Sequence, residues 1–314
     1  MKKEPILSVR NLEISFSQYT KGLRRIDSKA INNLDIDLYK GEILAVVGSS
    51  GSGKSLLAHS ILRILPSNAN LKGDIYYKDE ILDEKRKEKL RGKEIVFIPQ
   101  SVNYLDPLME VGKQVKISIK DKKKSNTILE RVFRKYNLDK KVEKYYPFQL
   151  SGGMARKVLL SSALVSNAEV IIADEPTPGL DEKSLNEALK DFRDLADNGC
   201  AVLIITHDIS AALKIADRVA IFYGGTTLEV AKADDFKNNG ENLRHPYTKA
   251  LYNALPNTKF TPIGGSQPLA SELPVGCLFY DRCEKRTPDC ENIKPEMREL
   301  RDGKVRCLYA TQSK

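Results

Sequence analysis

The chain of 314 residues contains no long hydrophobic run. Its longest apolar stretches, such as VIIA at residues 170–173 and AVLII at 201–205, have the length of strands, whereas a membrane-spanning helix needs about 20 apolar residues. The first residues, MKKEPILSVRNLEISF, are basic but lack the apolar core and the small-residue cleavage site of a signal peptide. These absences predict a cytosolic protein with neither a membrane-spanning helix nor a signal peptide.

Cysteine is scarce, and its spacing is unusual. Four of the five cysteines, Cys277, Cys283, Cys290 and Cys307, lie near the C-terminus, and in a reducing cytosol such a group predicts a metal site before a set of disulfides. Four thiolates can hold a [4Fe–4S] cluster or a tetrahedral Zn²⁺ ion. None of the spacings is the two to four residues typical of structural zinc, which favours iron–sulfur, with zinc or no metal left open. Cys200 opens an apolar strand and is expected to be a buried core thiol.

Internal repeats are absent, and DKKKS is the one low-complexity tract. With 41% hydrophobic and 30% charged residues, the chain has the composition of a soluble folded protein. Most of the formal net charge of +9 is local, because residues 111–144 contain 12 Lys or Arg and 4 Asp or Glu. Such a segment can face nucleic acid or an anionic membrane surface, or it can be an ordinary solvated helical face.

Hydrophobic patterns predict the order of secondary structure. Residues 6–16 and 30–38 alternate between apolar and polar, as in hairpin strands. Buried strands are predicted in GEILAVVG, EIVFIPQ, AEVIIADEP and CAVLIITHD, and helices in KSLLAHSILRIL, which stops at Pro66, and in residues 109–146. Strands buried on both faces that alternate with helices indicate a parallel α/β core. After Ala233 the composition turns toward Asn, Pro and Gly, which marks a separate C-terminal region.

The stretch GSSGSGKS has the pattern G-x-x-x-x-G-K-[ST] of a phosphate loop, placed between a predicted strand and a predicted helix. Glycines let backbone N–H groups curl around phosphate oxygens, and the helix N-terminus favours negative charge. Lys54 is expected to reach the β- and γ-phosphates, and the Ser55 hydroxyl to bind Mg²⁺. The predicted nucleotide-binding residues of this loop are Gly48, Ser49, Gly51, Gly53, Lys54, Ser55 and Leu56.

Two carboxylates end the strand VIIADE. Asp174 and Glu175 stand at its C-terminal end, where α/β sheets bind their ligands. Asp174 suits the Mg²⁺ shell, and Glu175 suits the general base that polarises the attacking water. The alternative, in which both carboxylates only cap the next helix, is disfavoured by the phosphate loop.

The stretch LSGGM at residues 150–154 resembles the signature of the ABC transporter ATPases. Further matches follow the order of that family: IPQ with the Q-loop Gln100, YYPFQLSGG before the signature, EPTPGLD ending at Asp181, and ITHD with the switch histidine, His207. The resemblance covers about residues 5–232. It implies an ABC cassette of the P-loop NTPase fold, with a mixed sheet, antiparallel N-terminal strands and a helical subdomain at about residues 101–160.

This resemblance also implies a mechanism that needs two ATPase subunits. ATP lies between the phosphate loop of one subunit and the signature of the other, so that Ser151, Gly152 and Gly153 contact nucleotide held by the partner, with Asp181 also at the nucleotide site. His207 holds the γ-phosphate and the water. Gln100 is implied to be a catalytic residue and a ligand of Mg²⁺. It links the Mg²⁺ site to the protein that docks at the helical segment.

The sequence departs from the family pattern in the D-loop and in the signature, and it offers two aromatic residues for the adenine. The D-loop has Pro178 and Gly179 where the family more often has a small residue and Ala, which predicts at most altered communication in the dimer. Met154 replaces the commoner Gln of the signature. The aromatic side chain that stacks on adenine is expected to be Phe16, with Tyr19 as the rival.

The stretches HPYTKALYNALP and GCLFYDRCEKRTPDC resemble the tail of the oligopeptide, dipeptide and nickel importer ATPases over about residues 243–310. We therefore divide the chain into an ATPase domain, residues 1–232, and a C-terminal tail with the four-cysteine site, residues 233–314. Some members of this group carry an iron–sulfur cluster in the tail, which agrees with the cysteine spacing.

The resemblance implies an ATPase subunit of an importer, bound at the cytoplasmic face of the membrane. Its implied partners are two permease subunits, a second and different ATPase chain, and an extracellular or periplasmic substrate-binding protein. Peptides are the leading substrate class, with nickel or a metal chelate next. Two alternatives are a soluble ABC ATPase that acts on nucleic acid, and a metal-sensing interaction protein whose ATPase core has degenerated. The intact Lys54, Asp174, Glu175 and His207 argue against the second alternative.

Overall fold

The computed structural model describes residues 4–19, 25–49, 51–256, 258–268 and 272–311. The strands in these ranges are β1 Leu7–Tyr19, β2 Arg25–Leu38, β3 Ile43–Gly48, β4 Ala69–Tyr77, β5 Glu80–Ile81, β6 Ile95–Ile98, β7 Val170–Asp174, β8 Ala201–Thr206, β9 Arg218–Tyr223, β10 Thr226–Lys232, β11 Arg298–Leu300 and β12 Gly303–Val305. The α-helices are α1 Lys54–Leu62, α2 Glu84–Leu90, α3 Val111–Ile117, α4 Ser125–Lys135, α5 Gly152–Leu164, α6 Glu182–Asp197, α7 Ile209–Leu213, α8 Pro246–Asn253 and α9 Asp289–Asn292. None of the helices in the described ranges has the length and apolar character needed to cross a membrane.

The chain forms two compact units. The first unit consists of Met1–Ile6, Leu38–Ile43 and Asp83–Thr206. Its centre is a run of parallel strands in which β7 lies between β6 and β8, with Val170 opposite Ile95 on one side and Ala201 on the other. All residues of β7 and β8 are buried, which confirms the prediction of parallel strands covered on both faces. The predicted helical segment at 109–146 contains α3, α4 and short 3₁₀ turns.

The second unit consists of Leu7–Asp37, Leu44–Leu82 and His207–Lys314. One of its sheets has the strand order β2-β1-β4-β5, which confirms that the alternating N-terminal segments are neighbouring strands. Its other strands lie in the order β11-β12-β10-β9-β3, with β3 parallel to β9 and the remaining pairs antiparallel. The short strands β11 and β12 thus bring the tail beside β10. The boundary at residue 232 stays a prediction.

Helix α1 ends earlier than its sequence pattern indicates. The prediction extended it to Pro66, but the last helical residue is Leu62. Arg63 adopts a left-handed conformation with φ 55°, and its backbone N–H bonds back to the carbonyl of His59. The Ile64 N–H bonds to the same carbonyl at 3.0 Å. This C-terminal cap satisfies the last turn, so the helix ends before the proline is reached.

Candidate functional site

The phosphate loop leaves β3 and turns into α1 through positions that only glycine fits. Gly51 and Gly53 have φ values of 76° and 95°, in the left-handed region that disfavours side chains. A Cβ atom on Gly53 would lie 2.8 Å from Ile31 Cδ1, and one on Gly48 would collide with the carbonyl oxygen of Phe222. Gly48 and Gly53 therefore let neighbouring segments pack closely against the loop, and Gly51 and Gly53 allow its backbone to turn.

Lys54, the first residue of α1, is only 7% exposed. Its Nζ donates hydrogen bonds to the carbonyl oxygens of Gly48 at 2.8 Å and Ser49 at 2.9 Å. The ammonium group is thus held inside the loop, beside the backbone that is expected to wrap phosphate. Ser55 and Leu56 follow in the first turn of α1 and are half-buried. The loop has the cradle, the cation and the helix N-terminus that a phosphate chain needs.

The acidic pair lies at the end of β7 in the first unit. Asp174 and Glu175 are 2% and 7% exposed. Glu175 has a φ of 45°, an uncommon conformation for a residue with a side chain and a source of backbone strain. Its N–H donates to the carbonyl of Ile205 at 2.8 Å, and Thr206 Oγ1 donates to Glu175 Oε2 at 3.3 Å. These contacts orient the carboxylate that we expect to act as the base.

Arg156 connects three of the predicted motifs within the first unit. This residue of α5 is 6% exposed, and its guanidinium donates to the carbonyl oxygen of Pro99 at 2.6 Å and to that of Gln100. Burial lowers the pKa of Arg156, and the charges of Asp174 and Glu175 oppose that shift. No sequence motif predicts a role for this arginine, although it directly follows LSGGMA on the signature helix.

The signature forms the N-terminus of α5. Ser151 is the N-cap, and its Oγ accepts a hydrogen bond from the Met154 N–H at 3.3 Å. Gly152 begins the helix, exposed and with open space where a Cβ would stand, whereas a Cβ on Gly153 would lie 3.0 Å from the carbonyl oxygen of Gly179. A bare helix N-terminus of this kind attracts anions.

The D-loop lies against the same helix. Gly179 has a φ of 80°, which accounts for glycine at this position. Asp181 caps α6 by accepting from the Ser184 N–H at 2.9 Å, and it pairs with Lys157 of α5 at 3.1 Å. The pKa of Asp181 is lowered, first by the Ser184 backbone hydrogen bond and then by the Ser184 hydroxyl and Lys157. Lys157, like Arg156, was not singled out from the sequence.

The candidate adenine and switch residues lie on or next to strands. Phe16 lies half-buried on β1, opposite Ala69 of β4. Tyr19 ends the same strand, but its side chain lies outside the described residues. His207 is exposed and directly follows β8. The choice of Phe16 for adenine, and the switch role of His207, stay predictions.

The four C-terminal cysteines meet at one cavity of the second unit. Cys277, Cys283, Cys290 and Cys307 all line a cavity of about 160 Å³. Burial raises the pKa of the Cys277 thiol to about 11, and the other three thiols act in the same direction. Within the described part of the chain, however, no three His, Cys, Asp or Glu side chains are arranged so that they could hold a metal ion. Cys200 is 7% exposed, which confirms its expected burial.

The HPY stretch has a structural role. His245 is 1% exposed, its Nδ1 accepts from the Tyr247 N–H at 3.0 Å, and its own N–H donates to Glu229 at 2.8 Å. Glu229 is fully buried beside Arg244, whose Nη1 lies 3.2 Å from Glu229 Oε1 and 2.9 Å from Asp235 Oδ2. Burial raises the pKa of Glu229, and the Arg244 and His245 bonds oppose that shift. These contacts fasten the start of α8 to β10.

Family models match two parts of the chain. Residues 31–178 match the ABC transporter family, and residues 228–290 match the oligopeptide/dipeptide transporter C-terminal region. Solved structures share the fold of the cassette. A dimeric ATP-binding cassette in a post-hydrolysis state, bound to ADP and Pi, has a TM-score of 0.62 and 24% identity over 72% of this chain and 98% of that one.

Several curated relatives match almost end to end. The dipeptide transport ATP-binding protein DppD of Bacillus subtilis is 33% identical over 93% of this chain and 90% of its own length. The oligopeptide transport ATP-binding protein AppD of the same organism is 33% identical over 96% of both chains. The probable D,D-dipeptide transport ATP-binding protein DdpD of Escherichia coli is 31% identical over 97% of this chain and 96% of its own. These relatives favour the transport interpretation over the two alternatives. The chain therefore belongs to the ABC transporter ATP-binding proteins, a family of ATPases that use ATP and Mg²⁺, and carries the C-terminal region of the oligopeptide and dipeptide transporters.

Proposed function

We propose that this chain powers a peptide importer, to which it is attached at the cytoplasmic face of the membrane through two permease subunits. The observation that carries the proposal is the presence, in one chain, of a phosphate loop with its lysine held in place and a C-terminal region of the oligopeptide/dipeptide transporter type. Relatives named for dipeptide and oligopeptide transport support peptides as the substrate class. Nickel or a metal chelate is the second candidate.

In the proposed catalytic cycle, Lys54 and the loop N–H groups bind the β- and γ-phosphates. Ser55, Asp174 and Gln100 would be the oxygen donors that hold Mg²⁺, and the ion would neutralise charge on the phosphates. Glu175, oriented by Thr206, takes a proton from the attacking water at its carboxylate. His207 holds the γ-phosphate and the water in place.

The exposed signature supports the proposal that catalysis requires a partner subunit. Ser151, Gly152 and Gly153 present a helix N-terminus that contacts nucleotide bound to a second ATPase subunit, which completes charge stabilisation of the γ-phosphate. We propose that this partner is a different ATPase chain, so that the working assembly is a heterodimer. Mass measurement of the intact importer distinguishes the two cases, since a homodimer shows one ATPase chain instead of two.

The transport proposal is tested in cells that lack this chain. Uptake of labelled di- and oligopeptides should be lost, and should return with the wild-type chain but not with Lys54→Ala. Loss of ⁶³Ni uptake in the same cells, with peptide uptake unchanged, would identify nickel as the substrate instead. Unchanged peptide and nickel uptake, together with salt-sensitive binding of the purified chain to DNA, would favour the nucleic-acid alternative.

We also propose that the four cysteines hold a [4Fe–4S] cluster, with zinc as the alternative. The four thiols that line one cavity are donors of the number and kind that the cluster takes, although the described side chains are not arranged as a metal site, and the cations Lys249, Lys285 and Arg301 line the same cavity. These positive charges suit an anionic thiolate cluster. Anaerobic purification should yield about four irons and four sulfides per chain and an absorption band near roughly 400 nm that bleaches on reduction. One zinc per chain, or no metal, would contradict the cluster.

A further inference from the structure

A side chain of the C-terminal region hydrogen-bonds the phosphate loop. Ser49 Oγ donates a hydrogen bond to Gln267 Oε1 at 2.7 Å, across 218 residues of sequence. Ser49 directly follows the first glycine of the loop, and it is exposed whereas Gln267 is half-buried. Nothing in the sequence pattern assigned a role to Gln267.

A second tail residue approaches the same serine. Tyr247, in the first turn of α8, is 3% exposed. Burial raises the pKa of Tyr247 to about 12, Tyr223 acts in the same direction, and the nearby Arg282 and Ser49 oppose the shift. The hydroxyl is therefore protonated at neutral pH and can both donate and accept. Ser49 thus lies near Tyr247 of α8 and hydrogen-bonds Gln267 on the segment at 264–267.

The segment at 264–267 is itself held in place. Arg282 Nε donates to the carbonyl oxygen of Gly264 at 2.8 Å, and its Nη1 donates to the Tyr223 hydroxyl at 3.2 Å. The guanidinium carbon lies 5.7 Å from the ring centroids of both Tyr223 and Phe279, in the range of cation–π attraction. Arg282 directly precedes Cys283, so the cysteine region and the segment that reaches the loop share one anchor.

A loop that is already ordered binds phosphate more tightly. The loop must adopt its wrapped conformation before its backbone N–H groups can all point at one phosphate. Each loop residue that becomes ordered only on binding costs conformational entropy and so weakens the affinity for nucleotide. Gly48 and Gly53 are confined by Phe222 and Ile31, and the Gln267 bond restrains the loop at Ser49, between those two glycines.

We propose that Gln267 is a positioning residue for the phosphate loop, and that the tail thereby raises the affinity of this ATPase for nucleotide. The proposal rests on the loop at 48–55 being the ATP site. Gln267 acts on nucleotide binding through its hydrogen bond to Ser49 and leaves the chemical step unchanged.

The test compares Gln267→Ala, Ser49→Ala and the double variant in the full chain assembled with its partners. Gln267→Ala should raise the KM for ATP, and the Kd for a fluorescent ATP analogue, by about threefold to tenfold, the loss expected for one hydrogen bond. The kcat should stay within about twofold, because only binding is affected. The double variant should match Ser49→Ala, since Gln267 acts through that hydroxyl. Ser266→Ala, a change at the exposed neighbouring residue, is the matched control and should behave as wild type.

A second measurement does not depend on catalysis. In the nucleotide-free protein, Gln267→Ala should speed amide hydrogen exchange in peptides that cover residues 48–55, while its melting temperature stays close to that of wild type. Unchanged KM and exchange in Gln267→Ala, or additive effects in the double variant, would overturn the proposal. If wild type fails to bind the ATP analogue, the nucleotide site itself is wrong, and the exchange result still decides whether Gln267 orders the loop.

Discussion

Arg156 donates a hydrogen bond from its guanidinium to the carbonyl oxygen of Pro99 at 2.6 Å, and a second one to the next carbonyl, that of Gln100. The signature helix α5 is thereby fixed to the backbone of the Q-loop, because one planar group bridges two consecutive peptides. The same arginine lies within the electrostatic reach of Asp174 and Glu175. A single side chain of the signature helix therefore hydrogen-bonds the Q-loop backbone and interacts electrostatically with the acidic pair.

We expect Arg156→Lys to weaken this coupling. An ammonium group cannot make the two fork-shaped hydrogen bonds of a guanidinium, so Gln100 should lose its fixed position. ATP hydrolysis should fall by about tenfold and need more Mg²⁺ for half-maximal activity, while the Kd for nucleotide changes little. Arg131→Lys, at an exposed position of α4, is the matched control. An unchanged Mg²⁺ dependence in Arg156→Lys would contradict the positioning of Gln100 by this arginine.

Glu175→Gln should separate ATP binding from ATP hydrolysis. The amide keeps the size of the side chain but cannot accept the proton of the attacking water, so the steady-state rate should fall by about 10²- to 10⁴-fold. ATP binding should persist, and the variant should trap a closed dimer with its partner, measurable by size-exclusion chromatography with ATP. Glu182→Gln, at an exposed residue of α6, should retain the wild-type rate. Hydrolysis at the wild-type rate in Glu175→Gln would remove this residue as the base.

Asp37 should make the stability of the chain depend on acid pH. Its carboxylate is 6% exposed and pairs with Arg10 and, at 2.9 Å, with Lys304. Burial raises its pKa, but hydrogen bonds from Lys304 and Arg10 outweigh that effect, so the pKa lies below its usual 3.8. Because the unfolded chain then binds the proton more readily, the stabilisation is complete above about pH 4 and is lost as the pH falls through the folded-state pKa.

Asp37→Asn is the variant that isolates this effect. In urea unfolding at pH 7 it should be less stable than wild type by about 1–3 kcal/mol. The difference should shrink as the pH falls below about 4, because the unfolded wild-type chain then binds a proton at Asp37 more readily than the folded chain does. A difference that stays constant down to pH 3 would show that the charge of Asp37 does not contribute.

Arg244→Met should destabilise the second unit strongly. Its guanidinium pairs with the fully buried Glu229 and donates to the carbonyl oxygen of Leu300 at 2.6 Å. Removal leaves a buried carboxylate without its counter-charge, a change that costs about 3–5 kcal/mol. The double variant Glu229→Gln/Arg244→Met should recover part of the loss in urea unfolding. A loss below about 1 kcal/mol for Arg244→Met, in the range of an exposed ion pair, would contradict this role.

Residues close together in the sequence were enough to predict the phosphate loop and the acidic pair. A glycine turn between an apolar strand and a helix, with lysine at its end, predicts a phosphate loop, because backbone curvature and helix dipole depend on residues close in sequence. The carboxyl ends of buried strands likewise predict where Asp174 and Glu175 stand. The early end of α1 at Leu62 was missed, since a left-handed Arg63 is not a strong sequence signal.

The tertiary structure alone decided which distant residues meet. No spacing rule pairs Ser49 with Gln267, or Arg156 with Pro99, because these contacts depend on how separate segments of the chain are brought together. It also decided that the four cysteines line one cavity, although their spacing matches no zinc pattern. The sequence by itself determined the chemistry of each motif, through residue types at short separations. The folded chain determined the connections between motifs, because side-chain hydrogen bonds form only within about 3.5 Å and only folding sets such distances.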